Sequence, residues 1–148
     1  MTIVFTLCLP RDRASVPVVR HLLHSSMENL GVEDDCLSDI EIAVTEACTN
    51  VLQHSTGQEE YEVAVEVNEK MCEIRVTDTG QGFDHEGLAP KAPDTAESGR
   101  GIQLMKALVD KVRFLSRPEE GTIVHLEKKL SLTPDSVLRS FVAPAASR

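Results

Sequence analysis

An α+β fold is what this sequence predicts: a two-layer sandwich with helices on one face of a mixed, mainly antiparallel sheet. Two observations support it. Short segments alternate apolar with polar residues, as strands with a single apolar face do, and most of them come in closely spaced pairs that read as hairpins. Between them lie longer segments whose apolar residues recur at spacings of three and four, the stripe of a helix lying on a core. The order is strand, helix, helix, hairpin, long loop, helix, hairpin, which gives the helices a layer of their own.

Each element has its own signal. Ile3, Phe5, Leu7 and Leu9 alternate with Val4, Thr6 and Cys8 in a first strand that ends at Pro10. A helix is expected from about Val16 to Leu30, with Pro17 in its first turn and Gly31 just past its end. A second runs from about Asp34 to His54, with Leu37, Ile40, Val44, Ala47 and Val51 on one stripe, until Gly57 breaks the pattern. Tyr61, Val63, Val65 and Val67 then alternate with Glu62, Ala64, Glu66 and Asn68. After a turn at Asn68-Glu69-Lys70, Cys72, Ile74 and Val76 alternate with Glu73, Arg75 and Thr77 and complete a hairpin.

From Thr79 to Gly99 there is no usable periodicity, and a loop of that length is usually a lid, a binding loop or disordered. A third helix is expected from about Ile102 to Asp110. The segments Val112–Leu115 and Thr122–Leu126 form a second hairpin turned by Pro118 to Gly121. These elements make one domain over residues 1–130. Residues 131–148 form a tail, with Val137, Leu138, Phe141 and Val142 as a short apolar piece, expected as a short helix, before a fraying end.

Composition narrows the function. The 148 residues fit one domain, and 41% hydrophobic with 26% charged residues is too apolar for wholesale disorder. Aromatics are only 3% with no Trp, which argues against a stacking surface for single-stranded nucleic acid. The 15 basic and 24 acidic side chains leave a net charge of −9, so no direct nucleic-acid partner is expected, although backbone amides can still build a local anion site. Cys8, Cys36, Cys48 and Cys72 form no CxxC pair and are expected as buried, reduced thiols. The apolar run at the N-terminus has no basic leader and is far shorter than the roughly 18 residues of a membrane span. No membrane association and a cytoplasmic location are expected.

Three clusters bear chemistry. Glu46 and Asn50 lie one helical turn apart at the edge of the second helix's apolar stripe. An Asn carbonyl is a hard-oxygen ligand suited to Mg²⁺, and a neighbouring carboxylate can serve as general base; a solvated polar face is the plainer alternative. Asp78-Thr79-Gly80-Gln81-Gly82-Phe83 closes the first hairpin with a carboxylate beside a backbone that a ligand can approach closely, or is simply a turn. Ser98-Gly99-Arg100-Gly101 feeds a helix N-terminus, where free N–H groups favour an anion, without matching the P-loop or dinucleotide fingerprints.

Taken with Gly121-Thr122 on the final strand, this ordered set resembles the GHKL (Bergerat-fold) ATPase superfamily. Within it the sequence is similar to the stand-alone anti-sigma factor serine/threonine kinases of bacterial partner-switching systems. The resemblance rests on Val44 to Asn50, on Gly99 to Met105 and on Gly121 to Leu126, and covers about Ile3 to Leu130. It implies an ATP site assembled from named residues. Asp78 would accept a hydrogen bond from the adenine amino group, with Gly80 and Gly82 letting the backbone close over the base and Thr122 supporting it. Asn50 would hold Mg²⁺ on the phosphates. Gly99 and Gly101 would shape a phosphate loop, the amides at the start of the following helix, from Ile102, would face phosphate oxygens, and Arg100 would neutralise phosphate charge or face a partner. Glu46 would orient and deprotonate the attacking hydroxyl. The stretch from about Phe83 to Ser98 would be an ATP lid.

The resemblance further implies a cytoplasmic homodimer that phosphorylates an anti-anti-sigma protein of the STAS type and otherwise sequesters a sigma factor. The competing expectation is a nucleotide-gated binding module that performs no transfer. A histidine-kinase catalytic domain is disfavoured because no helix pair with a phospho-accepting His precedes residue 1. His21 and His24, three apart on the first helix, are read as a surface face rather than a metal pair. His54, one turn beyond Asn50, lines the phosphate end or simply ends its helix.

Overall fold

In the computed structural model, residues 2–54, 59–78, 96–117 and 121–140 are described. In chain order the elements are β1 (Ile3–Pro10), α1 (Ser15–Leu30), α2 (Asp34–His54), β2 (Glu60–Val67), β3 (Met71–Thr77), α3 (Ala96–Leu108), β4 (Lys111–Arg117), β5 (Gly121–Lys129) and α4 (Val137–Ser140). The strands form a five-stranded sheet in the order β1-β2-β3-β5-β4, antiparallel at every junction. The expected "mainly antiparallel" sheet is thus wholly so among the described strands. Both hairpins form, β2 with β3 (Val65 opposite Ile74) and β4 with β5 (Phe114 opposite Val124).

Alternation decides which way each strand faces. Val63, Val65, Val67, Cys72, Ile74, Val76, Val124 and Leu126 turn inward and are buried. They meet Leu37, Ile40, Val44, Ala47 and Val51, the α2 stripe. α2 is the middle helix, packed between α1 and α3 over β3 and β5. α1 buries Val19, Leu23 and Met27. Each such fully buried aliphatic side chain contributes roughly 1.5–3 kcal/mol of hydrophobic stabilisation.

α1 ends at Gly31, whose φ of +86° is the left-handed region that a glycine enters without steric cost. The turn then carries the chain to Val32, which bridges to Leu132. The core accordingly continues beyond Leu130: Leu132 and Leu138 are buried in it, and Ser136 Oγ donates to the carbonyl of Leu30. Cys36, Cys48 and Cys72 are buried free thiols as expected, but Cys8 is exposed. It lies on edge strand β1 opposite Glu62, on the face of the sheet away from the helices. Among the described residues, no helix is long and apolar enough to cross a membrane.

Candidate active site

α2 carries the first pair of side chains. Asn50 is 3% exposed, and its Nδ2 donates to the carbonyl of Glu46 at 2.8 Å. Its Oδ1 is buried with no hydrogen-bond partner among the described residues. An unsatisfied buried amide oxygen costs about 1–3 kcal/mol, so it marks a place where a donor or a hard cation is welcome. Glu46 is half-buried one turn earlier.

α3 closes against this pair. A methyl on Gly101 would lie 2.9 Å from Asn50 Nδ2 and 3.2 Å from Glu46 Oε1, so the α3 backbone passes directly over both side chains. α3 also starts earlier than its sequence suggests, at Ala96 instead of about Ile102, and ends at Leu108 rather than Asp110. Gly99, Arg100 and Gly101 therefore lie within its first turns, not in a loop before it. Helix propensity disfavours two glycines so close together, by roughly 1 kcal/mol each, but burial of Ile102 and Met105 outweighs that.

The difference bears on two expected roles. Only the first four N–H groups of a helix lack intrahelical partners. The amides of Gly101 and Ile102 fall beyond them, inside the helix that starts at Ala96. Gly101 contributes smallness, and Ile102 contributes a buried side chain. Arg100 is exposed.

The second group forms at the strand ends. Asp78 follows β3 and is 0% exposed, and its N–H donates to the carbonyl of Thr122 at 3.0 Å. Thr122, buried on β5, shares a 3.0 Å hydrogen bond with Ser116 of β4. Burial pushes the Asp78 carboxyl above the usual range, and the Arg11 guanidinium opposes that rise. Arg11 Nε lies 3.0 Å from Asp78 Oδ2, and Arg11 Nη2 donates to the Leu52 carbonyl at 2.8 Å. One guanidinium thus touches both the buried carboxylate and α2 two residues beyond Asn50. Arg11 and Ser116 were not singled out from the sequence; Ser116 is legible only once the β4–β5 register sets it opposite Thr122.

Gly80 and Gly82 lie outside the described residues. So does most of the expected lid, whose last residues, from Ala96, belong to α3. His54 stacks edge-to-face on Phe114, with ring centroids 5.6 Å apart. His24 pairs with Glu41 at 3.0 Å and Glu28 at 3.6 Å, joining α1 to α2. Glu73, His125 and Glu127 lie close together on the outer face of the sheet, but Arg75 and Arg113 flank His125 in the ladder and oppose a dication there.

Comparison with known proteins agrees with this fold. Residues 9–128 match the family model described as the histidine kinase-like ATPase domain. The chain is 35% identical over 136 residues to the serine-protein kinase RsbW of Bacillus licheniformis, covering 82% of each chain. It is 33% identical over 135 residues to RsbW of Bacillus velezensis, covering 83% of each. With the anti-sigma F factor of Pasteuria penetrans it shares 35% over 103 residues, 64% of this chain and 69% of that one. Among solved structures, the RsbU and RsbW domains of Rv1364c from Mycobacterium tuberculosis superpose with a TM-score of 0.66 at 21% identity. That match covers 88% of this chain and 32% of the other, and bears on the fold alone. From the end of β1 to the end of β5, this chain belongs to the histidine kinase-like ATPase domain family.

Proposed function

We propose that this chain is an ATP-dependent serine/threonine protein kinase that phosphorylates a small STAS-type anti-anti-sigma protein and otherwise holds a sigma factor, as a homodimer in the cytoplasm. The relatives' names, serine-protein kinase and anti-sigma F factor, support the class of activity. The observation that carries it is the meeting of Glu46, Asn50 and Gly101, where a carboxylate and a residue with an unsatisfied buried amide oxygen lie against the α3 backbone.

The donor set fits the cation such an enzyme uses, because a hard amide oxygen suits Mg²⁺ and nothing described competes for it. When bound by Asn50 Oδ1, Mg²⁺ supplies charge neutralisation for the phosphates of ATP. The chain's own residues do the rest. Asp78 accepts from the adenine amino group, with Thr122 and Ser116 bracing the same wall. Gly101 leaves room for the Glu46 and Asn50 side chains, and the amides at the start of α3 favour phosphate oxygens. Glu46 orients the substrate hydroxyl and takes its proton as the hydroxyl oxygen bonds to the γ-phosphorus and ADP leaves.

Incubation with γ-labelled ATP, Mg²⁺ and an extract of the source cells, beside Glu46→Gln, tests this. A small protein labelled by the unmodified chain and not by the variant is expected. No Glu46-dependent label, in a chain that binds ATP, would favour a module that only changes its grip on a partner with nucleotide occupancy.

A further inference from the structure

We propose that Arg11 is a specificity-determining residue of the base pocket: held between Asp78 and the end of α2, it keeps that carboxylate an acceptor only, so that the site takes a 6-amino purine and refuses a 6-oxo purine. The inference rests on the reading that Asp78 meets the base. Arg11 follows β1 directly and its position is fixed at three points. Its backbone N–H donates to the Glu59 carbonyl at 2.9 Å, its Nη2 to the Leu52 carbonyl at 2.8 Å, and its Nε sits 3.0 Å from Asp78 Oδ2. Leu52 lies in the last turn of α2, where carbonyls lack intrahelical donors, so the guanidinium also caps that helix. The residue is 17% exposed and Asp78 is 0% exposed, so the pair is little screened by solvent.

The chemistry follows from what a carboxyl group can offer. Ionised, it only accepts, which suits an exocyclic amino group and repels a carbonyl oxygen at the same place. Protonated, it also donates, and a 6-oxo base becomes acceptable. Burial alone drives Asp78 toward the protonated form, and Arg11 opposes that. A site built around a hydrogen bond to one substrate group discriminates strongly, because the mismatched ligand leaves a buried polar group unpaired.

The test compares ATP with inosine triphosphate as competitors for a labelled ATP analogue, using the full chain, Arg11→Met, Arg11→Lys and Asp78→Asn, each first shown by thermal melting to be folded. The expected result is a preference for ATP in the unmodified chain that falls by about tenfold or more in Arg11→Met, with most of it kept in Arg11→Lys. An Arg11→Met preference equal to that of the unmodified chain overturns the proposal, as does tighter ATP binding with unchanged selectivity, which would make Arg11 a competitor for Asp78. If Asp78→Asn leaves both affinity and selectivity untouched, Asp78 does not read the base, and the underlying site assignment fails rather than the role of Arg11 within it.

Discussion

Replacing Gly101 by Ala separates the stability of α3 from the chemistry it borders. The added methyl lands 2.9 Å from Asn50 Nδ2 and 3.2 Å from Glu46 Oε1, against about 3.5 Å for a comfortable contact. Asn50 is buried and tied to the Glu46 carbonyl, so it yields only by straining that bond, at about 0.5–1.5 kcal/mol. Against this, Ala is favoured over Gly inside a helix by roughly 0.8–1 kcal/mol. The two terms cancel to within about 1 kcal/mol, which for a domain of this size is a change in Tm of roughly 2–4 °C. The site has no such compensation. Misplacement of a reacting group by 1 Å can cost about a hundredfold, so a shift of about half that predicts a loss of roughly tenfold in transfer rate. Thermal melting and single-turnover labelling of the substrate protein measure the two effects separately. Wild-type transfer at an unchanged Tm would refute the placement of Gly101 against Glu46 and Asn50. A fall in Tm beyond about 8 °C would show that the core, not the site, resists the methyl.

Three further outcomes follow from the fold. Iodoacetamide under native conditions should modify Cys8 alone among the four cysteines, because burial pushes Cys48 and Cys72 to about 12 and Cys36 is also enclosed; mass spectrometry of the peptides reads this directly. Gly31→Ala should cost at least about 1–3 kcal/mol in denaturant titration, since φ is +86° and the new Cβ would lie 2.6 Å from Ser136 Cα. Glu41 holds His24 above its usual 6.5, so the clasp between α1 and α2 contributes fully below pH 6.5 and fades as pH rises through the raised value. The stability difference between the unmodified chain and His24→Gln should therefore shrink from pH 6.5 upward, and a difference constant across that range would remove the clasp from the stability of the fold.

The elements that were legible are those with a strong period or a sharp stop. α2 runs from Asp34 to His54 as its stripe predicts, and Pro10 and Gly31 end β1 and α1. The start of α3 is not legible because Gly99 and Gly101 read as loop residues, while burial of Ile102 and Met105 carries the helix back through them. Cys8 departs from the burial usual for cysteine because it shares the uncovered face of β1 with Val4 and Thr6, as the strand's alternating burial shows. Asp78, Thr122, Glu46 and Asn50 stand in motifs that the sequence displays. Arg11 does not, since nothing local marks an arginine after a strand; Asp78 is brought to it by the pairing of β1 with β2 and of β2 with β3, and Leu52 by the packing of α2 on the sheet.

The two groups, Asp78 with Thr122 and Asn50 with Glu46, are read as opposite ends of one ATP site. Calorimetric titration of ATP with and without Mg²⁺ into the unmodified chain, Asp78→Asn and Asn50→Ala examines that reading without depending on transfer. Asp78→Asn should weaken ATP under both conditions, by about tenfold or more for a hydrogen bond to a charged group. Asn50→Ala should abolish most of the gain that Mg²⁺ brings and leave Mg-free binding close to that of the unmodified chain. If both variants bind Mg-ATP as the unmodified chain does, the two groups do not form an ATP site.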